Sequence, residues 1–349
     1  MSDTGEIIME KLRVCIVGCG HIFTMHATSI ATFSDAEIVG VCDIKPDRAE
    51  KAAQKYQTKA YTDYKVMLAE QKPDILHVCL PHYLHPVVSK YAIEQGINVL
   101  CEKPISIKLE DAIENVNLAK QKNVLYGIIF QCRYHTVSQM VKNYIEDGTL
   151  GKVLSARSVL TWCKPDSYYS LSDWKGTWDK EGGGVVIDQA IHSMDLVNWF
   201  IDSEPASVYA HYDNRDHEIM QVDDSAEGLI KYKNGVNYGF WAMNNYGVDE
   251  PIEIRLLCEN GKAVLSYDDA TITLNDGTVI TGTQDTSNLL EYEDSKDYWG
   301  SQHVRQIRQF YNSVLGLETL EISAEEALKI QKIICAIYES SRMGKPIEF

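Results

Sequence analysis

The first part of the chain alternates short apolar runs with longer amphipathic segments. The apolar runs have strand length and cover residues 12–17, 36–42, 74–80, 97–101 and 124–130. The segments between them have apolar side chains at helical spacing, and they cover residues 22–33, 46–56, 83–95 and 108–121. Runs that are apolar throughout indicate strands buried on both faces, and their alternation with helices indicates parallel pairing. The pattern predicts an α/β unit with a doubly wound parallel sheet.

After about residue 150 the pattern changes to strand-like runs joined by short turns. These runs cover residues 153–162, 206–212, 226–243, 252–258, 262–267 and 271–280. The turns include Asn234-Gly235, Asn260-Gly261 and Asp276-Gly277, which favour tight hairpins because they tolerate positive φ angles. We expect a large, mainly antiparallel open sheet, with one helix at 183–200 and two more at 300–315 and 323–343.

The length of 349 residues exceeds twice a typical domain of about 150 residues. We therefore expect two domains, at residues 1–130 and 131–349, with the last helices free to pack back on the first. Hydrophobic residues at 45% and charged residues at 24% exclude a disordered or fibrous protein. No apolar run approaches the roughly 20 residues that span a bilayer, and residues 1–11 contain no hydrophobic leader. We expect a cytoplasmic protein.

The net charge of −17 is unevenly distributed, and it restricts the partners. Residues 1–150 contain 16 basic and 18 acidic residues, and the rest of the chain contains 17 and 32. An acidic chain without a basic stripe is a poor nucleic-acid binder, so a small polyanionic cofactor would suit the nearly neutral first part. The nine cysteines have no CxxC spacing, which indicates reduced thiols and no zinc ribbon.

A glycine turn follows the first predicted strand. Gly18 permits a tight turn, and Gly20 lets the backbone approach a pyrophosphate at the start of the next helix. Asp43 ends the second strand, where an acidic side chain receives the adenosine ribose hydroxyls. Its charge would repel a 2′-phosphate, so the sequence favours NAD, while Lys45 leaves NADP as an alternative. The alternative to a dinucleotide site is a turn with a purely structural role, followed by an exposed aspartate.

Two later strands end in polar clusters at the edge where such sheets bind ligands. Pro81, His82 and His85 follow one strand, and Glu102 and Lys103 follow the next, before Pro104. A lysine placed there can hydrogen-bond a cofactor ribose and a substrate hydroxyl. The alternative for Lys103 is an ordinary surface residue.

Three glycines, Gly182 to Gly184, precede a helix that carries Asp188 and His192. The spacing of four residues puts both side chains on one helical face. A carboxylate beside an imidazole can produce a general base near neutral pH. A structural Asp–His pair is an equal alternative, and we predict no metal site because no third ligand has suitable spacing.

Together these motifs resemble the Gfo/Idh/MocA oxidoreductases, the glucose–fructose oxidoreductase and inositol dehydrogenase group. The resemblance runs from GCGHI through PHYLHPVVSKYAIEQGINVLCEKP and GGGVVIDQAIHSMD to the final SAEEALKIQKIICAIYESSRMGKPIEF. It implies an N-terminal Rossmann domain and a C-terminal α/β domain with a large open sheet. By analogy with the family, it also implies a homodimer or homotetramer.

The resemblance also implies the site residues. Lys103, Asp188 and His192 would form the catalytic trio. Cofactor contacts would come from Gly18, Gly20, His21, Ile22, Asp43, Pro81, His82, His85, Glu102 and Lys103. The chain departs from the family pattern in having Phe23 in place of a small residue, and His82 and Cys132 where asparagine is common. Arg133, next to Cys132, is expected to face the active site.

The resemblance implies an NAD(P)-dependent dehydrogenase that acts on a secondary hydroxyl of a sugar, glycoside or cyclitol. His192 would remove the hydroxyl proton, Lys103 would orient the hydroxyl, and Asp188 would position His192 or a neighbouring hydroxyl. The alternatives are a keto-sugar reductase, a trans-dihydrodiol dehydrogenase, an NAD-dependent glycosidase and a non-catalytic NAD- or sugar-sensing regulator.

Aromatic side chains suit the C–H faces of a sugar, and several precede the glycines. We expect Trp162, Tyr168 and Trp174 to bind substrate with Arg133, Asp188 and His192. Tyr246 and His303 are further candidates. The sequence has no basic cluster that indicates a phosphorylated substrate, although Arg133 or Arg157 could bind a carboxylate.

Overall fold

The computed structural model describes residues 11–266, 268–286, 290 and 302–349. Residues 1–10, on which the expectation about a leader rests, lie outside the described residues. Among the helices that are described, none combines the length and the apolar character needed to cross a membrane.

The first part of the chain forms a parallel sheet, as predicted. Its six strands within the described residues are β1 (Leu12–Val17), β2 (Ala36–Cys42), β3 (Lys59–Tyr61), β4 (Ile75–Val78), β5 (Asn98–Cys101) and β6 (Tyr126–Ile128). They lie in the order β3-β2-β1-β4-β5-β6. The strand order reverses between β1 and β4, and ligands of such sheets bind beyond the carboxyl ends of the strands at that point.

Helices cover both faces of this sheet, which explains its continuous apolar strands. They are α1 (Phe23–Ala31), α2 (Pro46–Tyr56), α3 (Tyr64–Gln71), α4 (His85–Glu94) and α5 (Leu109–Lys122). Pro46 begins α2 at a position where its missing N–H has no helical partner. The sequence pattern did not separate β3 and α3, because both are short and their apolar side chains show no clear period.

The second part begins with α6 (Thr136–Glu146), β7 (Val153–Thr161) and the short α7 (Asp166–Ser170). A π-helical turn at Val185–Ala190 leads into α8 (Ile191–Ile201). The remaining strands are β8 (Pro205–Asp213), β9 (Ser225–Tyr232), β10 (Asn237–Met243), β11 (Glu253–Cys258), β12 (Gly261–Ser266), β13 (Asp269–Leu274) and β14 (Val279–Thr283). The chain ends with α9 (His303–Val314), α10 (Ala324–Met343) and β15 (Ile347–Glu348).

The strands after β6 form a large open sheet, which confirms the predicted fold class. Within the described chain its order is β14-β13-β12-β11-β7-β10-β9-β8-β15. All neighbours are antiparallel except β7 and β10, which run parallel. One face packs against α8 and α10, and the other exposes large apolar side chains, including Tyr209, Leu229, Trp241 and Leu257.

Helix α9 packs against the first sheet although it follows the second in sequence. Phe310 and Tyr311 are fully buried in an apolar cluster with Val14 and Ile16 of β1. Arg308 also binds Asp35, with 2.7 Å between Nη1 and Oδ1. The end of the chain therefore completes the core around the first strand.

Candidate active site

The glycine turn after β1 has the shape that a pyrophosphate requires. Gly18 has a φ of +93°, and a Cβ atom there would lie 2.0 Å from the carbonyl oxygen of Cys79. Only glycine fits this position without moving the end of β4. A Cβ atom on Gly20 would meet nothing within 4 Å, so the backbone there faces open space at the start of α1. His21 is exposed and Ile22 is partly buried beside it.

Asp43 lies beside this turn and is oriented by two backbone amides. Cys19 N donates to Asp43 Oδ2 at 2.8 Å, and Lys45 N donates to Oδ1 at 2.9 Å. The carboxylate is thereby fixed at the carboxyl end of β2, where a ribose would lie. The open cradle at Gly20 and the fixed carboxylate fit a bound NAD, which Gly18, Gly20 and Asp43 would hold.

The histidines after β4 are held by backbone carbonyl oxygens, and His82 also faces the site, with Nε2 3.7 Å from Asp188 Oδ1. His85 lies between two carbonyl oxygens, with Nδ1 2.7 Å from Pro104 O and Nε2 2.7 Å from Leu80 O. It therefore ties the segments that follow β4 and β5. His82 is also buried, with Nδ1 2.8 Å from Glu181 O, and partly buried Pro81 precedes it. Cofactor contact by these side chains stays a prediction.

Glu102 belongs to a buried polar network. Its Oε1 lies 2.8 Å from His26 Nε2 and 3.2 Å from His303 Nε2. His26 Nδ1 lies 2.6 Å from His77 Nδ1, and His77 Nε2 lies 3.0 Å from the hydroxyl of Tyr311. Burial alone would raise the pKa of Glu102, but the hydrogen bonds from the two imidazoles hold it well below its usual range. The network joins α1, β4, β5 and α9 directly before Lys103.

The same network contains a candidate metal-ligand set. Among the described residues, the ligand atoms of His26, Glu102 and His303 all lie within 4.8 Å of one another. Two imidazoles and a carboxylate are a donor set that zinc accepts. In this structure each of the two imidazoles has a hydrogen bond to the carboxylate.

Lys103 and Asp188 meet across the boundary between the two sheets. Nζ of Lys103 donates to the carbonyl oxygen of Asp188 at 2.7 Å and to Oδ1 at 3.0 Å. Lys103 follows β5 of the first sheet, and Asp188 lies in the π-helical turn before α8. Exposed fractions of 16% and 8% put both side chains in a largely enclosed space. The structure thus brings together two of the residues predicted to be catalytic.

The other carboxylate oxygen of Asp188 is bound by residues of the second part of the chain. Oδ2 accepts hydrogen bonds from Tyr168 Oη at 2.8 Å and from Gln189 Nε2 at 2.7 Å. Lys175 Nζ lies 3.2 Å from Oδ2 and is in close contact with Tyr168 Oη. Burial alone would raise the pKa of Asp188, but the ammonium groups of Lys103 and Lys175 hold it well below its usual range. Asp188 is therefore ionised and bound on both sides.

His192 lies one helical turn beyond Asp188, at the start of α8. It is 6% exposed, and its ring centroid lies 6.0 Å from that of Phe130. Burial lowers the pKa of His192 well below its usual range, and the Lys103 ammonium lowers it further. The imidazole is consequently neutral at pH 7, the state in which it can accept a proton. The hydrogen bonds described for Asp188 go to other residues, so its predicted role in orienting His192 stays a prediction.

The three glycines let the active-site segment pack against its neighbours. Gly183 has a φ of +155°, and a Cβ atom there would lie 2.0 Å from the hydroxyl of Tyr338 on α10. A Cβ atom on Gly184 would lie 2.0 Å from the carbonyl oxygen of Asp223. The carboxylate of Asp223 then accepts from Gly184 N at 2.6 Å and from Val186 N at 3.0 Å. The glycines thus place the turn that carries Asp188.

Of the aromatic residues and histidine predicted to bind substrate, Tyr168 and Trp174 lie at the Asp188 site, and Trp162, Tyr246 and His303 have no described contact with Asp188. Tyr168 contacts Asp188, and Trp174 packs on His82 with 4.8 Å between ring centroids, so both lie beside the ion pairs. Trp162 is buried beneath Lys164, whose Nζ lies 4.9 Å from the ring centroid. Tyr246 is 43% exposed. His303 reaches Glu102 instead of Asp188.

Arg133 forms a buried ion pair with Asp195. Its Nε and Nη2 atoms donate to the two carboxylate oxygens of Asp195 at 2.7 and 2.6 Å. Nη1 lies 3.3 Å from Glu326 Oε1 on α10. Two carboxylates already share this guanidinium, and its predicted contact with substrate stays a prediction.

Sequence reasoning missed two charged residues of the site, Lys175 and Glu181. Both lie in the irregular segment between α7 and the glycines, where no periodicity marks side-chain direction. Burial and the negative charge of Asp188 raise the pKa of Glu181 to about 8. The sequence could have marked them as site residues because Lys175 follows Trp174 and Glu181 precedes the three glycines.

Comparison with protein families agrees with this architecture. Residues 12–130 match the oxidoreductase family with an NAD-binding Rossmann fold, GFO/IDH/MocA, and residues 138–264 match the C-terminal domain of the same family. These matches cover the first sheet and most of the second, and they include Lys103, Lys175 and Asp188.

Similar proteins include sugar and cyclitol dehydrogenases. The chain is 27% identical to D-glucoside 3-dehydrogenase of Escherichia coli, over 97% of this chain and 98% of the relative. It is 25% identical to myo-inositol 2-dehydrogenase of Thermotoga maritima, over 90% and 92% of the two chains.

A solved structure has the same fold at lower identity. Levoglucosan dehydrogenase in complex with NADH superposes with a TM-score of 0.87 at 20% identity, over 97% of this chain and 99% of that chain. With both family domains matched and the dinucleotide turn in place, the chain belongs to the GFO/IDH/MocA family and is an NAD-dependent oxidoreductase.

Proposed function

We propose that the protein oxidises a secondary hydroxyl group of a sugar, glycoside or cyclitol to a ketone with NAD. The observation that carries this proposal is the Lys103–Asp188 contact, 3.0 Å from Nζ to Oδ1, with neutral His192 one helical turn away. The named activities of the Escherichia coli and Thermotoga maritima relatives support the same substrate class.

Oxidation of the hydroxyl group removes two hydrogens from the substrate, one from carbon and one from oxygen. NAD held by Gly18, Gly20 and Asp43 would supply the acceptor for the carbon-bound hydrogen, which leaves as hydride. His192 accepts the hydroxyl proton, since burial and the Lys103 ammonium lower the pKa of its imidazole and keep the ring neutral at pH 7. Lys103 donates a hydrogen bond to the substrate oxygen and stabilises the negative charge that develops there. The C–H and O–H bonds break, a C=O bond forms, and the proton stays on His192 until solvent removes it.

Asp188 holds the Lys103 ammonium group in place. Nζ of Lys103 is bound twice by the same residue, through the backbone carbonyl and Oδ1. A lysine side chain has four rotatable bonds, and this double contact restricts them before substrate arrives. Because Asp188 and His192 lie on consecutive helical turns, the lysine and the imidazole keep a fixed relationship.

A substrate screen tests the proposal. Purified protein is incubated with NAD and a panel of glucosides, free hexoses and inositols, and NADH formation is followed by absorbance at neutral and alkaline pH. We expect turnover with at least one member and no turnover when the same hydroxyl is methylated. Cleavage of a glycoside without net NADH would instead identify a glycosidase. Absence of any reaction in either direction, despite measured NADH binding, would reject the proposal.

A further inference from the structure

Lys175 brings a second ammonium group to the Asp188 carboxylate. It lies in the segment between α7 and the three glycines, and 17% of its side chain is exposed. Its Nζ lies 3.2 Å from Asp188 Oδ2, while Lys103 lies 3.0 Å from Oδ1. Two ammonium groups, one from each part of the chain, thus flank a single carboxylate in a largely enclosed space.

The other acidic side chains nearby do not neutralise this second ammonium. Glu102 is bonded to His26 and His303, and it makes no described contact with either lysine. Glu181 is fully buried, and burial and the charge of Asp188 raise its pKa to about 8 although the nearby Lys175 ammonium lowers it, so Glu181 is mostly uncharged at pH 7. An ammonium without its own counter-ion is costly in an enclosed site, so an anionic ligand would stabilise it.

Asp188 does not depend on Lys175 for its hydrogen bonds. Tyr168 and Gln189 both donate to Oδ2, and Lys103 donates to Oδ1. Lys175 could therefore turn from Asp188 towards a ligand, and the carboxylate would keep three donors. A side chain that is partly exposed and replaceable in this way suits a binding role better than a framework role.

The aromatic rings around Lys175 place it at the end of a surface suited to sugars. Its Nζ lies 3.8 Å from the ring centroid of Tyr168 and 5.2 Å from that of Trp174. Lys164 also faces the Tyr168 ring, at 5.5 Å. Aromatic faces contact the C–H groups of a sugar ring, and an ammonium beside them can bind a charged substituent of that ring.

The two arginines that the sequence suggested as binders of a substrate carboxylate are each paired with acidic side chains of the protein. Arg133 is bound by Asp195 and Glu326. Arg157 lies on β7 with 57% of its side chain exposed, paired with Glu253. Among the described residues, Lys175 lies beside Asp188 and shares that carboxylate with Lys103.

We infer that the sugar substrate carries an anionic group, a carboxylate or a phosphate, which Lys175 binds while Lys103 contacts the reacting hydroxyl. This inference rests on the proposed function and narrows its substrate class. It also assigns Lys175 as the specificity-determining residue of the site.

Matched substrates that differ in one charge test the inference. Methyl β-D-glucoside is compared with methyl β-D-glucuronide, and glucose with glucose 6-phosphate, so that the two arms separate carboxylate from phosphate. We expect wild-type kcat/KM to be at least about 10-fold higher for the anion in one arm. Lys175→Met should reduce that preference by about 10- to 100-fold, and Lys175→Arg should retain most of it.

A matched control and a binding measurement make each outcome decisive. Lys180→Met removes a lysine of the same segment whose Nζ donates to Asp173 O on the outer side, and it should keep the wild-type preference. Binding of the anionic and neutral sugars to the NADH complex is measured by tryptophan fluorescence, which needs no turnover. Equal preference in wild type and Lys175→Met, or better use of neutral sugars, would overturn the inference while leaving the proposed function intact. If no sugar is oxidised, the proposed function fails instead, and the binding measurement still decides whether Lys175 binds anions.

Discussion

Glu181 and Asp188 are two buried carboxyl groups whose surroundings drive their protonation in opposite directions. Asp188 accepts hydrogen bonds from Lys103 and Tyr168, and the two nearby lysines keep it ionised. Burial and the charge of Asp188 raise the pKa of Glu181 to about 8. Two acids whose pKa values separate in this way are typical of enzyme active sites.

The first prediction concerns the pH dependence of stability. The unfolded Glu181 loses its proton near pH 4.5, but the folded one keeps it until about pH 8. Folding therefore takes up a proton, and stability falls as pH rises from 4.5 to 8, by up to about 1.4 kcal/mol per pH unit from this group. Glu181→Gln, measured by urea unfolding at four pH values, should remove that part of the slope.

Glu94→Gln is the control for Glu181→Gln, because Glu94 is exposed on α4. It should leave the pH slope of the free energy of unfolding unchanged. An identical slope in wild type and Glu181→Gln would mean that Glu181 is already ionised in the folded protein.

The second prediction concerns Lys103. Lys103→Met keeps the aliphatic part of the side chain and removes the ammonium bound to Asp188. We expect kcat to fall by about 100- to 1,000-fold, because a hydrogen-bond donor to the developing alkoxide is lost. The Kd for NADH should change by less than about 10-fold, since that ammonium contributes one contact among many.

Lys122→Met, on the exposed face of α5, should have wild-type kcat. A Lys103→Met enzyme with nearly normal kcat would remove Lys103 from the reaction. An enzyme that no longer binds NADH would assign the lysine to cofactor binding.

The third prediction concerns His192. His192→Ala should lower kcat by about 100- to 10,000-fold while NADH still binds. In wild type, activity should fall as pH decreases, because protonation removes the acceptor site. Burial lowers the pKa of His192, so this loss should begin below the usual imidazole value of 6.5.

The pH–rate profile of wild type gives the position of that acidic limb, and exposed His211→Ala on β8 serves as the control. An acidic limb above pH 6.5, or one that persists in His192→Ala, would assign the titration to another group.

The fourth prediction concerns the choice between NAD and NADP. Asp43→Ser removes the charge fixed by Cys19 N and Lys45 N at the end of β2. The ratio of kcat/KM for NAD over NADP should decrease by at least about 10-fold, since one charged contact with the ribose is lost. Asp47→Ser, on the exposed first turn of α2, should not change the ratio.

The sequence predicted the fold well where periodicity was strong. β1, β2 and α2 have the predicted bounds, because each is a run with one clear period. β3 and α3 were missed because they are short, and the parallel pairing of β7 with β10 was missed because it depends on distant strands. The domain boundary near residue 130 stays a prediction.

The candidate site was predictable where residues follow regular elements. Lys103 follows a buried strand, and Asp188 lies four residues before His192 on a helical pattern, so the sequence marked both as candidates. Lys175 was not predictable, because it lies in an irregular segment between α7 and the glycines, where no periodicity marks the direction of a side chain. Glu102 was expected at the cofactor, and its bond to His303 depends on the return of α9.

The packing of α9 against the first sheet restricts where two related sequences can be joined to make a chimeric protein. A crossover placed after β6 would combine one parent's nucleotide-binding unit with another parent's Phe310 and Tyr311, whose rings fill the space beside β1. Mismatched ring sizes there would leave voids or clashes beneath the dinucleotide turn. Productive chimeras must therefore inherit α9 from the same parent as β1, although some 290 residues of chain separate the two.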